Sequence, residues 1–586
     1  MKRLYIIIAL TICLPRLISA QQLYIPKVDN SSYRGKAMFG YQGWFAHPDD
    51  DSPRPHYWHW GNMDQIGTGP LEVEMFPDLR EFCPEERYET AYTFPDGEVA
   101  KVFSSGNRQT VLRHMKWVRD YNTDGVWVQR FISEYNDRVV MAFRDSTTKY
   151  VMEGSEKYGR VFAIMYDGIA NRVEEIKTDW KHLVDNLEIT DSESYLHHNN
   201  RPLVALWGYT VRSDATVDQL EELIEFFHNN PEYKYRASIK LGVNDNWFNK
   251  SQRWQDAFAQ VEVISPWSVG RFGGQSGYNN YVNNQLVPGL NWSQTHGVLY
   301  VPVLFPGFSW HNLQEDKPKN QIPRDGGNFF WMQAHGAISK NVESLYFAMF
   351  DEVDEGTAFF KTAEDASQSP AQEYWLNLDA DGYDLPSDWF LRAAGKAAQA
   401  LRGNLDNSDD LGVPEEGIMT VLPGIEKCAI TLQFPVLKDV TTLEVSIDGG
   451  DSFPYSVDGN AGSLEISGLE EGIYDIYVRD TYSVLDAIPM GKTCVSSGCL
   501  STSTNKLNQN QKILVYPNPA MSVVNISGLN ENSVIKLTDL NGKVLFTTIS
   551  DKATKRIDIS HFPVGIFILS VKNNSGKIYK KVNKIH

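Results

Sequence analysis

Eight short apolar runs, rich in β-branched and aromatic residues, recur between residues 37 and 350, with helix-like stretches between them. The runs are AMFGYQGWF (37–45), GVWVQRFI (125–132), RVFAIMYDG (160–168), PLVALWG (202–208), RASIKLGV (236–243), VEVISPW (261–267), GVLYVPVLF (297–305) and SLYFAMF (344–350). Between two of them, residues 108–121 carry apolar side chains at the three-to-four spacing of an amphipathic helix, and residues 216–229 also read as a helix. This alternation predicts an α/β fold, a (β/α)8 TIM barrel over residues 21–403.

An open, doubly wound sheet is the alternative arrangement for the same alternation. The first run is not followed by the Gly-rich phosphate fingerprint that nucleotide-binding sheets of this kind carry. The closed barrel is therefore favoured, and residues 384–403 are predicted to form a capped helix that completes it.

The composition and the hydrophobic pattern of the chain change after the predicted barrel. Residues 404–414 are an acidic linker marked by Pro and Gly, and residues 415–490 alternate apolar and polar positions with turns between, which predicts an immunoglobulin-like β-sandwich. Residues 491–512 are a polar linker, and residues 513–586 form a small β-module.

The N-terminal residues 1–20 have a basic start, an apolar stretch and small residues ending at Ala20, which is typical of a secretory signal peptide. No other stretch approaches the ~18 to 20 apolar residues of a membrane span. The chain is predicted to be exported and to have no membrane span.

The charge and the aromatic content restrict the possible partners. A net charge of −19 disfavours nucleic acid and anionic membrane surfaces, because both require basic patches. The 12% of aromatic residues suits a carbohydrate-binding cleft, and filling hydrophobic cores is the alternative use of these side chains. We expect a monomer that uses no cofactor. Of the cysteines, only Cys494 and Cys499 are close enough in sequence to suggest a local disulfide.

Reactive residues of a (β/α)8 barrel lie at the C-terminal ends of its strands. Aromatic and polar residues gather there in this chain, although polar rims are also ordinary features of barrels. The residues predicted to contact substrate are Tyr41, Trp44, His59, Trp60, Arg130, Asp167, Trp207, Tyr209, Trp267, Arg271, Trp310 and Arg324. His56 and His59 leave zinc as a minor alternative, because their spacing alone matches no strong metal signature; no metal is predicted.

The segment AMFDEVDEGTAFF (348–360) follows the eighth strand and contains four acids in five positions. Val353 interrupts the alternate spacing that a calcium loop needs. Glu352 and Glu355 remain as a pair of carboxyl groups, which suits glycoside hydrolysis because one must donate a proton while the other acts as a base or nucleophile. The alternative is a solvated acidic turn.

Residues 35–402 resemble the clan of endo-α-mannosidases, glycoside hydrolase family 99 and its bacterial relatives. The motifs that carry the resemblance are GYQGWF with HYWHW, VLRHMKWVRDYNTDGVWV, FAIMYDG, SPWSVGR, PGFSWHNL, RDGGNFFWMQ and FDEVDEGTAFF. The last is similar to the catalytic N-E-W-x-E-G-T loop of that family. The resemblance implies that Glu355 is the general acid and that Glu352 is the general base that deprotonates the 2-hydroxyl of the sugar.

The chain departs from the family at positions that shape the sugar subsite. Asp351 and Val353 stand where the family has Asn and Trp, and Tyr166-Asp167-Gly168 replaces His-Glu-Pro. These departures leave the identity of the sugar open. The predicted function is a secreted, retaining, endo-acting α-glycosidase. The alternatives are a non-catalytic glycan-binding surface protein and a zinc hydrolase.

Residues 513–586 resemble the C-terminal sorting domain of the type IX secretion pathway of Bacteroidetes. The features that carry this resemblance are the YPNP of residues 516–519, the DLNGK turn and the Gly565-Ile566-Phe567 strand before a basic end. The resemblance implies that the type IX machinery is a partner, and that the protein is secreted or held at the outer cell surface.

Overall fold

The structure, a computed structural model, describes residues 27–496 and 514–585 apart from short internal gaps. The gaps are residues 62–64, 210–214, 315, 413–418, 425–427, 436–439, 481–486, 517, 519, 530–532, 539–543, 551 and 574–575. The predicted signal peptide (1–20), Cys499 and most of the predicted linker 491–512 lie outside the described residues. In the part of the chain that is described, no helix is long and apolar enough to cross a membrane.

The described residues of the barrel region form twelve strands. They are β1 (Ala37–Tyr41), β2 (Tyr88–Thr93), β3 (Val99–Val102), β4 (Gly125–Phe131), β5 (Val161–Asp167), β6 (His197–His198), β7 (Arg201–Trp207), β8 (Ser238–Val243), β9 (Val263–Pro266), β10 (Leu299–Tyr300), β11 (Val303–Leu304) and β12 (Leu345–Phe347). The main sheet has the parallel order β10-β9-β8-β7-β5-β4-β1-β12-β11. Strands β2 and β3 form a separate antiparallel hairpin in the long segment after β1.

The barrel closes through the seventh of its eight strand positions, which we call staves. Strand β10 pairs with β9, whereas β11, which follows two residues later, pairs with β12. Pro302 stands between the two halves, and it has no N–H to donate to a neighbouring strand. The two short strands are therefore one predicted run, 297–305, interrupted at a proline. The predicted (β/α)8 barrel is confirmed.

Helices separate the staves. They are α1 (Arg108–Asp120), α2 (Arg138–Tyr158), α3 (Val173–Asp185), α4 (Val217–Asn229), α5 (Gln252–Phe258), α6 (Gly274–Tyr281), α7 (Val287–His296), α8 (Asn328–Ile338) and α9 (Trp389–Leu401). Side chains start the two helices predicted from periodicity: the Asn107 side chain accepts hydrogen bonds from the first turn of α1, and Thr216 forms a capping box with Gln219 in α4. Their observed bounds agree with the predicted ranges to within one residue.

The two downstream β-modules share one topology. The strands of the first are β13 (Thr420–Leu422), β14 (Ala429–Gln433), β15 (Thr442–Ser446), β16 (Tyr455–Asp458), β17 (Ser463–Ser467), β18 (Gly472–Asp480) and β19 (Ile488–Val495). Those of the second are β20 (Leu514–Tyr516), β21 (Val523–Ser527), β22 (Ser533–Thr538), β23 (Val544–Ser550), β24 (Thr554–Asp558), β25 (Gly565–Asn573) and β26 (Gly576–Lys584). In each, the first, second and fifth strands form one antiparallel sheet, and the order fourth-third-sixth-seventh forms the other. The chain divides into two compact units after Ser496, so the first β-module belongs with the barrel.

The first β-module, which we call the sandwich (residues 420–495), packs against α1 and α2 of the barrel. Arg119 donates a hydrogen bond of 2.5 Å to the carbonyl of Pro489, and Lys157 lies 3.3 Å from a carboxylate oxygen of Asp475. A disulfide joins Cys494 on β19 to Cys83 in the long segment after β1. The expected Cys494–Cys499 bridge is therefore wrong: β19 lies against α1, which brings Cys494 beside a cysteine 411 residues away in sequence.

Removing the Cys83–Cys494 disulfide should lower the free energy of unfolding by about 2–4 kcal/mol, because the crosslink restricts the unfolded chain. The change is Cys83→Ser together with Cys494→Ser, and the measurement is the urea midpoint of purified protein. Cys428→Ser is the matched control, since Cys428 is a free cysteine. A non-reduced peptide map that links Cys494 to Cys499 would contradict the assignment.

Candidate active site

The acidic segment after β12 lies at the C-terminal end of the barrel and binds the end of β1. One Asp351 carboxylate oxygen accepts from the backbone N–H of Gln42 at 2.7 Å, and the other accepts from that of Gly43 at 2.9 Å. Asp351 is fully buried, and burial raises its pKa to about 7 although these two hydrogen bonds act in the opposite direction. Asp351 therefore fixes the acidic loop to the neighbouring stave.

Glu352 is buried in the same loop. Its side chain is oriented by Gln42, the residue whose backbone N–H donates to Asp351. Its Oε2 accepts from the Gln42 side-chain amide, and its Oε1 is buried with no partner among the described residues. Burial raises the pKa of Glu352 well above its ordinary value, and the Asp354 and Glu355 carboxyls raise it further, against the Gln42 amide. An oriented carboxyl with one free oxygen can exchange a proton with a ligand.

Glu355 is half-buried on the far side of the turn. Its backbone carbonyl accepts from the N–H of Ser309 at 2.9 Å, which ties the turn to the loop after β11. Burial, supplemented by the Asp354 carboxyl, raises the pKa of Glu355 to about 7, and the adjacent Trp310 indole acts in the opposite direction. At neutral pH a substantial fraction of Glu355 is protonated, as a proton donor requires.

Asp354 faces an aromatic stack from the segment after β1. Its Oδ2 lies 2.9 Å from His59 Nδ1, and the imidazole stacks on Trp44 with ring centroids 3.6 Å apart and planes 7° apart. Burial lowers the pKa of His59 to about 3, so its ring is neutral at physiological pH. Trp44 and His59 thus form one wall beside the carboxyls.

Three polar residues of the site escaped the sequence analysis. Gln42 holds Glu352, and Glu72 lies near enough to Asp354 for that carboxyl to add to the effect of burial in raising the Glu72 pKa. Glu74 is buried and accepts from Ser309 Oγ at 2.7 Å and from the N–H of Asn312 at 2.6 Å. The alternation of acids and apolar residues in LEVEMF (71–76) is the one signal that could have drawn attention to the last two.

The predicted contact residues divide by exposure. Trp44, His59, Asp167, Trp207, Trp267 and Trp310 are half-buried, and Arg271 is exposed. The buried ones are Tyr41, Trp60, Arg130, Tyr209 and Arg324.

Contacts inside the protein engage several of the buried set. Tyr41 OH lies 2.9 Å from His114 Nδ1, and Trp60 donates to the Phe103 carbonyl at 2.6 Å. Arg130 forms ion pairs with Asp179 and Asp145.

Arg324 forms hydrogen bonds with the backbone of the acidic loop. Its guanidinium donates to the carbonyls of Gly356 and Ala358 at 2.8 and 2.9 Å. Gly356 has φ +63°, which favours glycine, and an added Cβ would lie 3.3 Å from the backbone nitrogen of Ser309. Arg324 and Gly356 therefore hold the turn that carries Glu352 and Glu355.

The two histidines of the predicted zinc alternative lie apart from any group of potential metal ligands among the described residues. Among the described residues, one group of three potential ligands lies close together, Cys83, Glu85 and Cys494, and its two sulfurs are bonded to each other. His56 and His59 belong to no such group in that part of the chain. His56 is exposed, and His59 is stacked on Trp44.

The fold and the site define a (β/α)8-barrel protein with a carboxyl cluster at the C-terminal end of its eighth stave, followed by two β-modules. Residues 514–584 match the family described as the secretion system C-terminal sorting domain. The predicted resemblance of residues 513–586 to a sorting domain is thus confirmed, and this domain indicates export by the type IX system. No curated protein sequence matches the chain.

Among solved structures, the GH99 endo-alpha-mannosidase from Bacteroides thetaiotaomicron is similar at 13% identity, over 64% of this chain and 99% of that one, with a TM-score of 0.47. The same enzyme in complex with bis-tris-propane is similar at 14% identity over the same shares, also with a TM-score of 0.47. A DUF3244 family protein with an immunoglobulin-like β-sandwich fold, from Bacteroides vulgatus, is similar at 20% identity over 14% of this chain and 90% of that one, with a TM-score of 0.13.

Proposed function

We propose that the barrel is a retaining α-glycoside hydrolase that cleaves within a polysaccharide or glycan after export. The observation that carries the proposal is the pair Glu352 and Glu355: two carboxyls on one loop at the C-terminal end of the barrel, with different partners and raised pKa values. Trp310, which lies beside Glu355 and is partly exposed, is an aromatic side chain on which a sugar ring can stack. The order of motifs shared with the endo-α-mannosidase clan supports the same chemistry.

In this mechanism Glu355 donates its proton to the glycosidic oxygen as that bond breaks. Glu352 takes the proton of the sugar 2-hydroxyl, whose oxygen displaces the leaving group from the anomeric carbon and forms an epoxide-like sugar. Water then opens this ring: Glu355, now a carboxylate, accepts a proton from water, and Glu352 returns its proton to the 2-oxygen. Two displacements at the anomeric carbon retain its configuration.

The different partners of the two carboxyls suit these roles. The Gln42 amide donates to Glu352 and opposes, without cancelling, the burial and the neighbouring carboxyls that raise its pKa, so Glu352 acts as the base only in the state in which the proton shared by the cluster lies on Glu355. Burial keeps a proton on Glu355 into the neutral range. The neighbouring Asp354 disfavours the state in which all of these groups are ionised, so the pair titrates as a unit and its active form holds one proton.

The rate should fall on the alkaline side of neutrality. Glu355 acts only when protonated, and its pKa is raised to about 7, so kcat/KM should drop about tenfold per pH unit above that value. The measurement is a pH–rate profile of the wild type. A limb that persists unchanged in Glu355→Gln would assign the titration to another group, such as Asp351, whose pKa is also raised to about 7 by burial.

The proposed function is tested by incubating purified protein with a panel of α-linked polysaccharides and oligosaccharides. We expect new reducing ends within at least one chain, and an initial product whose anomeric configuration, read by proton NMR, is that of the substrate. The double variant Glu352→Gln, Glu355→Gln is the matched control. Protein that binds members of the panel and cleaves none would instead be a glycan-binding surface protein. Loss of cleavage on adding a chelator would favour the zinc alternative.

A further inference from the structure

A small cavity of about 10 Å³ lies inside the barrel, and none of residues 348–360 lines it. Its walls come from the interior faces of several staves and include Lys240 on β8, Ser265 on β9 and Tyr346 on β12. Gly242 makes room for the Trp207 ring, which a Cβ at this position would overlap. The barrel interior, which is usually filled by layers of apolar side chains, here retains space beside an amine.

Lys240 is 2% exposed and has no carboxylate partner in the part of the chain that the structure describes. Its Nζ lies 4.5 Å from the ring centroid of Tyr346 and 5.0 Å from that of Trp127. Ser265 Oγ, in the same cavity, is buried and also lacks a partner among the described residues. An amine and a hydroxyl donor thus share one space, and the described residues provide no acceptor for either.

A buried ammonium without a counter-ion is costly, and a protein keeps one where a ligand supplies the compensation. Burial lowers the pKa of Lys240 to about 7, so the surrounding protein disfavours the charged form. A bound anion would restore that charge. The ring faces of Tyr346 and Trp127 stabilise the cation only in part, because such contacts contribute ~0.5–2 kcal/mol.

The cavity opens towards the predicted substrate rim. Of the residues that line it, Trp207 and Trp267 retain exposed surface, and the rest are buried. These two indoles lie with ring centroids 5.1 Å apart. On the opposite wall, Tyr346 lies on β12, the strand that runs directly into the acidic segment 348–360. The cavity therefore adjoins the proposed catalytic loop.

We propose that this cavity is a subsite for a compact anionic substituent of the substrate, a carboxylate or a sulfate ester on a sugar that stacks at Trp207 and Trp267. Lys240 pairs with the anion, and Ser265 donates a hydrogen bond to it. This inference deepens the proposed function, because it names an acidic glycan as the substrate class.

The test uses pairs of methyl α-glycosides that differ in charge alone: glucoside and glucuronoside, galactoside and galacturonoside, mannoside and mannuronoside, with the 6-sulfated neutral sugars as a further arm. Calorimetric titration of the full chain should show that at least one charged member binds ten or more times more tightly than its neutral partner. The carboxylate and sulfate arms identify which anion fits. Equal binding of charged and neutral members in every pair would overturn the proposal.

Variants assign any preference for charge to this cavity. Lys240→Met, which keeps a similar length without the charge, should abolish the preference, whereas Lys149→Met at an exposed position should leave it intact. If Lys240→Met does not fold, Ser265→Ala should reduce the preference by a few fold and serves in its place. A preference for charge that survives unchanged in Lys240→Met would place the anion elsewhere and overturn the assignment. If Ser265→Ala is used in its place, an unchanged preference in that variant has the same meaning.

The anion subsite and the hydrolase activity can be contradicted independently of each other. Cleavage of neutral α-glycans together with rejection of charged ones would leave the hydrolase standing and remove the anion subsite. Charge-selective binding that depends on Lys240, without cleavage of any glycan, would leave the subsite standing and remove the hydrolase.

Discussion

Replacing Glu355 by Gln is expected to lower kcat on a natural glycan by about 10²–10⁴-fold, the contribution of a positioned general acid. The loss in kcat/KM, which reports the steps up to departure of the leaving group, should shrink to less than about tenfold on an aryl glycoside whose phenol leaves without protonation, because the acid then has little to contribute. In kcat the loss should persist, because Glu355 must still accept a proton from water in the second step. The measurement is kcat and kcat/KM on the two substrates, for the wild type and the variant. This contrast between leaving groups is the signature of a proton donor.

The folded state of Glu355→Gln provides the control. Burial raises the pKa of Glu355 from 4.5 to about 7 in the folded protein, so stability falls as the pH rises between these two values, where the unfolded chain ionises first, and the full cost is present at pH 8. The amide removes that cost, and the thermal midpoint of the variant at pH 8 should be no lower than that of the wild type. Equal losses of kcat/KM on both substrates would show that Glu355 is not the acid.

The barrel could be predicted from local pattern because each stave is a short apolar run and each helix has its own periodicity. The helix at residues 108–121 was within one residue of α1, and the interrupted run 297–305 was still recognisable as one stave. These features depend on side-chain chemistry within a few neighbouring residues. The number of staves followed from counting them.

The burial of residues at the strand ends could not be predicted from local sequence pattern. Tyr41, at the end of β1, and Arg130, near the end of β4, both belong to strand ends, yet their polar groups contact His114 and Asp179 inside the protein. Alternation along a strand indicates which face a residue occupies, but not whether helices and loops cover that face. Burial at a rim is set by contacts between segments far apart in sequence.

The long segment after β1 shows the same limit most clearly. It contributes Glu72 and Glu74 to the site and carries Cys83, which pairs with a cysteine 411 residues later. Nothing local marks these residues as neighbours of the loop after β12. Gln42 also became significant only when the parallel pairing of β1 and β12 placed it beside Glu352.

Replacing Glu352 by Gln is expected to lower kcat by about 10²–10⁴-fold on both the natural glycan and the activated aryl glycoside. The base must remove the proton of the 2-hydroxyl whichever group leaves, so a better leaving group cannot compensate. Gln42→Leu removes the amide that orients Glu352, and it should cause a smaller loss with the same lack of dependence on the leaving group. The measurement is the same pair of kcat values.

The substrate offers an independent check on Glu352. A 2-O-methyl glycoside has no 2-hydroxyl proton to lose, so it should bind the wild type and remain uncleaved. In the proposed mechanism Glu352 never bonds to carbon, and intact-mass spectra taken during turnover should show the unmodified chain. A glycosyl adduct mapped to Glu352 would contradict the role of a base, because it would make this carboxylate a nucleophile that bonds directly to the anomeric carbon.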